Sequence, residues 1–309
     1  MVKLAVSSVL IWYVFSQKVS LNDVFQAFRK TSPFYLALAF LLHFVGLWIS
    51  VSRWQLLLKS QDIRLSKYAL TLLYLEGFFF NTFLPGSVGG DIVRAYKVST
   101  EKLKSMAVIL IERGSGILCL FIFVSTVTVF YSHRIPDTIP LKAYLAPLAI
   151  LLTLFILTTF YFLIFMGRSG SNQDQKSGFF MAKLSKFHAA LRIYKSNKMV
   201  LLQVFGLSFL LQLNVVIHYY FIMKSLYINI PLSFTFFAIP VIHFILMLPI
   251  SINGIGVREN VFDYMLAPLF TTSAIAVTVS WIAFAMVLVF ALMGGFIHVF
   301  RKKREPTSD

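Results

Sequence analysis

Residues 33–52 read PFYLALAFLLHFVGLWISVS, a run of twenty with no Asp, Glu, Lys or Arg. As a helix such a run rises about 30 Å, the thickness of a bilayer's hydrocarbon core. Further apolar segments run at 3–16, 105–131, 142–166, 199–223, 233–248 and 273–299. They are continuous rather than short and alternating, which excludes a β-barrel. Of the 309 residues, 58% are hydrophobic and 13% charged. Soluble domains hold about 45–50% and about 25%, so a soluble globular protein is excluded too. The expectation is an all-α polytopic membrane protein of about seven to eight spans, with no room for a large soluble catalytic domain. It is expected to be one transmembrane domain over 1–309, with halves meeting near residue 140 and a cytoplasmic loop at 167–198.

The first segment follows Lys3 and lacks a small-residue cleavage site, so it reads as a signal anchor. The net charge of +16 is explained by the membrane surface, with no nucleic acid as partner. With the Arg301-Lys302-Lys303-Arg304 tail inside, 20 Lys and Arg fall on the cytoplasmic side and 7 outside, Arg113 lying within a segment. That bias places the chain in the cytoplasmic (inner) membrane with both termini cytoplasmic. Within the 167–198 loop, Phe180, Leu184, Phe187, Leu191 and Tyr194 recur at helical spacing and predict an amphipathic helix on the inner leaflet. Ser20 and Asp23 predict a capped helix outside, with Leu21, Val24, Phe25 and Phe28 on one side. Arg53-Trp54 reads as an interface anchor. Cys119, the single cysteine, reads as a buried small hydrophobe.

Two further stretches, 68–93 and 249–271, are apolar but interrupted. At their breaks residues 84–94 read LPGSVGGDIVR and residues 248–258 read LPISINGIGVR, six of eleven positions agreeing. Pro85 and Pro249 each remove a helical hydrogen bond, and the glycines free the backbone to turn. Irregular backbone at membrane depth is tolerated where protein or water covers it. The offset of 164, about half the chain, predicts two re-entrant broken-helix hairpins in inverted-repeat arrangement around a central substrate cavity.

The charges at these breaks fit an anionic ligand. Arg94 and Arg258 can each make bidentate bonds to a phosphate, assisted by backbone N–H groups of the glycine-rich turns. Asp91 and Glu259 stand beside them to hold the arginines or exchange protons. Glu112 and Arg113 lie early in a span, where an ionisable residue is costly. Two readings stand for these charges: a substrate site, or structural ion pairs with Arg94 as an interface anchor. Glu76, five residues before Asn81, either faces the same cavity or caps a helix. His43, His218 and His243 have no ligand-like spacing and read as satisfied core histidines, so no metal and no cofactor is expected.

Taken together, Asn81-x-x-Leu84-Pro85-Gly86-Ser87-x-Gly89-Gly90-Asp91-x-x-Arg94, then Glu112-Arg113-x-x-Gly116, then Leu248-Pro249-x-Ser251-x-x-Gly254-x-Gly256-x-Arg258-Glu259 resembles the lysylphosphatidylglycerol synthase transmembrane family, the third motif departing from it at Ile252-Asn253. This is the flippase-like domain of the multiple peptide resistance factor, found also as a stand-alone protein. The resemblance implies an integral inner-membrane protein that moves a lipid between leaflets, an anionic phospholipid or a polyprenyl phosphate. It implies a headgroup site on Asn81, Pro85, Gly86, Ser87, Gly89, Gly90, Asp91, Arg94, Glu112, Arg113, Asn253, Gly254, Gly256, Arg258 and Glu259. The resistance factor carries a soluble aminoacyl-transfer domain; with the sequence ending at Asp309, lysyl transfer is not expected here.

No phosphate-binding loop of the G-x-x-x-x-G-K-[ST] kind, no D-x-D pair and no H-E-x-x-H or G-x-S-x-G motif occurs, and no enzyme is expected. The rival readings are a membrane transferase acting on a lipid phosphate and a scaffold for such an enzyme. Gly114-Ser115-Gly116 and Gly294-Gly295 permit close helix packing, within one chain or in a homo-oligomer.

Overall fold

A computed structural model describes residues 2–84, 89–131, 150–155, 157–158, 189–191, 193–195, 197–247, 251 and 253–302. Ten helices are described end to end: α1 Val2–Gln17, α2 Leu21–Arg29, α3 Pro33–Lys59, α4 Lys67–Phe83, α5 Gly89–Val98, α6 Lys102–Tyr131, α7 Lys198–Ser225, α8 Leu232–Met247, α9 Val257–Phe270 and α10 Ser273–Lys302. Residues 150–155 are helical too, and no strand occurs among the described residues. By length and composition, α3, α6, α7 and α10 can each cross a membrane. Helices α1 and α8 are apolar but shorter. The expected segment at 142–166 lies largely outside the described residues.

Helix breaks fall at both interrupted stretches. Helix α4 stops at Phe83 and α5 starts at Gly89; between them Pro85, Gly86, Ser87 and Val88 lie outside the described residues. Helix α8 stops at Met247 and α9 starts at Val257, with a turn over 253–256 and Pro249 outside the described residues. Gly89 and Gly90, read as part of an irregular turn, instead form the first turn of α5. That helix continues to Val98, so Arg94 and Lys97 belong to a helix rather than to a loop.

The described chain separates into two compact units, one of residues 1–46, 78–89 and 212–309, the other of 47–77 and 90–211. Both draw on each half of the sequence. In the first, Val14, Val19, Val24 and Val277 form a core, against which Phe15, Ala274 and Trp281 pack. Helix α2 is capped as its sequence predicts: the Asp23 amide donates to Ser20 Oγ at 3.1 Å and the Ser20 hydroxyl to Asp23 Oδ2 at 2.7 Å. Val24 turns inward while Leu21, Phe25 and Phe28 stay exposed, the pattern of a helix seated in a membrane interface.

In the second unit Trp54, Leu57, Leu58, Leu70, Ile111, Leu191 and Tyr194 are fully buried. Two sequence expectations change here. Leu191 and Tyr194, read as facing lipid, are covered by protein: Gln61 Nε2 donates to the Ala190 carbonyl at 2.7 Å, and the Tyr194 hydroxyl donates to the Leu57 carbonyl at 3.1 Å. The rest of the amphipathic segment, including Phe180, Leu184 and Phe187, lies outside the described residues. Arg53 and Trp54 are not an interface anchor; Arg53 is buried and Trp54 has no exposed surface. An aromatic-basic pair near a helix end is common at membrane interfaces, but this pair has buried partners on α4, α5 and α6.

Candidate functional site

The second unit holds a buried ionic network. Helix α5 carries Asp91 and Arg94 one turn apart, and α6 carries Glu112 and Arg113 side by side. Arg94 Nη2 donates to Asp91 Oδ1 at 2.5 Å, and Arg94 Nη1 to Glu112 Oε2 at 3.4 Å. The other oxygen of Asp91 accepts from Arg113 Nε. Glu112 Oε1 accepts from the Tyr74 hydroxyl at 2.9 Å and from Arg53 Nη2 at 3.3 Å. Arg53 Nη1 donates to Ser208 Oγ at 2.9 Å; Ser208 lies 3.1 Å from Ser115 Oγ, and the Ser115 hydroxyl donates to the Glu112 carbonyl at 2.9 Å.

Aromatic rings also pack against Arg94. Its guanidinium lies 4.2 Å from the Tyr74 ring centre and 4.8 Å from that of Trp54, within cation–π range. A Cβ added at Gly77 would come within 2.9 Å of Arg94 Cδ, so the glycine leaves room for the side chain. The side chains of Arg94, Asp91 and Glu112 are buried, while that of Arg113 keeps 40% of its surface exposed. Arg113 is thus the most exposed charged member of the network. Glu76 does not cap a helix: it is buried and accepts from Lys97 Nζ at 2.6 Å.

The first unit holds the second motif in different surroundings. Asn253, Gly254 and Gly256 take positive φ values of 51°, 78° and 84°, turning the chain into α9. Gly256 is required there twice over, because an added Cβ would sit 2.7 Å from Leu10 Cβ and 3.0 Å from the Ser7 carbonyl oxygen. The Gly256 amide donates to Glu259 Oε2 at 2.7 Å, closing the helix N-terminus. The other oxygen, Glu259 Oε1, accepts from Arg258 Nη2 at 3.2 Å. The Arg258 guanidinium lies 4.3 Å from the Phe284 ring centre, and its buried Nε has no partner among the described residues. Helix α1 packs on α9: Asn260 Nδ2 donates to the Leu10 carbonyl at 3.4 Å and Lys18 Nζ to Asp263 Oδ2 at 2.5 Å.

Of the sequence-predicted residues, Asp91, Arg94, Glu112 and Arg113 come together in one network, and Asn253, Gly254, Gly256, Arg258 and Glu259 form one turn and helix start. Gly89 and Gly90 open α5, and Asn81 lies in the last turn of α4. Pro85, Gly86 and Ser87 lie outside the described residues. Among the described residues no group of three or more His, Cys, Asp or Glu side chains is placed to hold a metal.

The family pattern described as "Lysylphosphatidylglycerol synthase TM region" matches residues 1–295, nearly the whole chain and both motifs. The chain belongs to this family. Two relatives, each named "UPF0104 membrane protein" and both from Methanothermobacter thermautotrophicus, are similar to it. One is 22% identical over 264 residues, covering 78% of this chain and 77% of the relative. The other is 37% identical over 75 residues, covering 24% of this chain and 21% of the relative. As a member of the lysylphosphatidylglycerol synthase TM region family, the chain is a membrane protein.

Sequence reasoning missed Arg53, Trp54 and Tyr74 as members of the first network, and Lys18 and Asp263 beside the second motif. Lys18 and Asp263 are 245 positions apart, and no local pattern joins them. Arg53 and Trp54 carried a signal, a cation inside an otherwise apolar helix, which fits an interface and a buried ion pair equally well.

Proposed function

We propose that this protein binds an anionic lipid headgroup, that of a phospholipid or a polyprenyl phosphate, and moves it between leaflets while the lipid's chains stay in the bilayer. Arg258 carries the reading. It is buried in an apolar helix assembly and, among the described residues, its side chain makes one hydrogen bond, to one carboxylate, and its Nε has no partner. A guanidinium has five donors, and a phosphate takes two of them in parallel. Neutralising the phosphate in this way lowers the cost of taking it away from water. Arg113 of α6 is the more exposed donor beside the other motif, oriented by Asp91, with Arg94 behind it. Asn253, Gly254 and Gly256 supply a turn of positive φ beside Arg258.

In this reading the chain is a transporter rather than an enzyme. It lies in the cytoplasmic membrane with both termini cytoplasmic, as the bias of 20 inside against 7 outside Lys and Arg supports. Reconstitution into vesicles tests it, with fluorescent phosphatidylglycerol in one arm and a fluorescent polyprenyl phosphate in the other. Wild type moves at least one lipid faster than protein-free vesicles, and Arg94→Gln/Arg258→Gln loses about tenfold or more of that rate. A wild type no faster than empty vesicles, or a double variant as fast as wild type, overturns the reading.

A further inference from the structure

The turn between α2 and α3 and the groove that starts at it share no residue with either motif. Arg29 and Lys30 close α2, and both are exposed. Among the described residues neither side chain has a hydrogen-bond or ion-pair partner. The carboxylate of α2, Asp23, is taken up by Ser20, and α3 and α10 carry no Asp or Glu. The turn is fixed: the Thr31 hydroxyl donates to the Phe28 carbonyl at 2.9 Å, and the Ser32 amide donates to the Ser225 carbonyl at 2.8 Å. Lys224, the residue before Ser225, adds a third cation at the end of α7. Positive charge is thus gathered at one held turn with nothing described to balance it.

Phe28 and Pro33, on either side of that turn in sequence, line an open groove of about 380 Å³ whose other lining residues are apolar too. Leu36 and Phe40 continue it along α3, and Ile282 and Met286, both buried, along α10. Ala37 and Ala285 also line it and are exposed; with one methyl group each, they leave the space that a larger side chain would fill. From Pro33 to Phe40 the groove follows about two turns of α3, about 10 Å. Both α3 and α10 are long and apolar enough to cross a membrane, and α2 has the pattern of an interfacial helix. A slot left empty forfeits packing contacts along its walls. A helix, about 10–12 Å across with its side chains, is too wide for it, whereas a single hydrocarbon chain fits.

We propose that this groove is a resident-lipid site: it holds one acyl chain of an anionic phospholipid whose phosphate sits on Arg29 and Lys30. The walls select a hydrocarbon chain, and the turn selects the charge of the headgroup above it. Each cation at a membrane surface favours an anionic lipid about fivefold. Arginine and lysine together supply a bidentate fork and a point charge to the phosphate oxygens. The lipid here stays bound, apart from any headgroup at Arg258, so the proposal does not rest on the headgroup reading.

The test is fluorescence quenching by brominated lipids, with the full chain reconstituted in phosphatidylcholine bilayers. Val289→Trp places the reporter at an exposed residue that lines the groove on α10. The native tryptophans, read in the parent protein, report the lipid around the rest of the surface. Brominated phosphatidylglycerol should quench the added tryptophan as though enriched about fivefold or more over brominated phosphatidylcholine at equal mole fraction. In the reporter protein carrying Arg29→Gln/Lys30→Gln that preference should disappear. Phe40→Trp is the second reporter should Val289→Trp fail to fold. Equal quenching by the two lipids reduces the groove to ordinary bilayer contact and overturns the site. A preference that survives in the double glutamine variant overturns the role of the basic turn. A reporter shielded from both lipids shows the groove covered by protein, a second copy included, and overturns the proposal as well. None of these outcomes bears on Arg258.

Discussion

The two motifs share six of eleven residues and end in the same arginine, yet the protein surrounds the two arginines differently. Arg94 is shared between Asp91 and Glu112, lies against the rings of both Trp54 and Tyr74, and is connected through Glu112 to Arg53. Among the described residues Arg258 has Glu259 and one aromatic ring, and its Nε has no partner. The same local sequence therefore builds a crowded ionic lattice in one unit and a sparsely held cation in the other. A crowded lattice resists rearrangement, because moving one member strands its neighbours without charge partners. A sparsely held guanidinium can change partners, which is what a binding site for a passing anion requires.

Removing charge at the centre of the crowded network gives the largest expected effect. Glu112→Gln leaves the Arg53 and Arg94 guanidiniums short of a carboxylate, and thermal unfolding in detergent should show a loss of about 3–5 kcal/mol. The turn before Arg258 comes next. Gly256→Ala combines a positive φ with overlap onto Leu10 and Ser7, for about 2–4 kcal/mol in the same measurement.

Glu259→Gln sharpens the comparison. It keeps an oxygen for the Gly256 amide and strands one cation rather than two, so it should cost about 1–3 kcal/mol, less than Glu112→Gln. Equal losses from the two substitutions would erase the contrast between lattice and loose cation. The smallest stability effect belongs to Arg113→Ala, about 0–1 kcal/mol, because the side chain is 40% exposed. Its expected effect is on lipid movement, measured as transport rate in vesicles at unchanged unfolding temperature.

Much of the fold was legible in the sequence because hydropathy is local. The long helices α3, α6, α7 and α10 coincide with uncharged or nearly uncharged runs, and α4 and α8 end two residues before Pro85 and Pro249. The Ser20 cap was equally legible, since its partner Asp23 is three residues away. What escaped was non-local. Arg53 meets Glu112 across 59 positions, so a helix-end pair that looked like an interface anchor became a buried network member. The irregular turn expected at Gly89 and Gly90 is instead the first turn of α5. For the candidate site, the sequence named both arginines and their adjacent carboxylates, while the aromatic rings beside the arginines depend on helix packing that no motif encodes.

The central claim is that Arg258 holds an anionic lipid headgroup, with Arg94 supporting the second site from behind Arg113, and native mass spectrometry of gently extracted protein tests it most directly. Wild type should retain a phosphate-bearing lipid that the folded Arg94→Ala/Arg258→Ala variant has lost. Equal retention by both proteins would contradict the account and make the two arginines structural ion-pair partners.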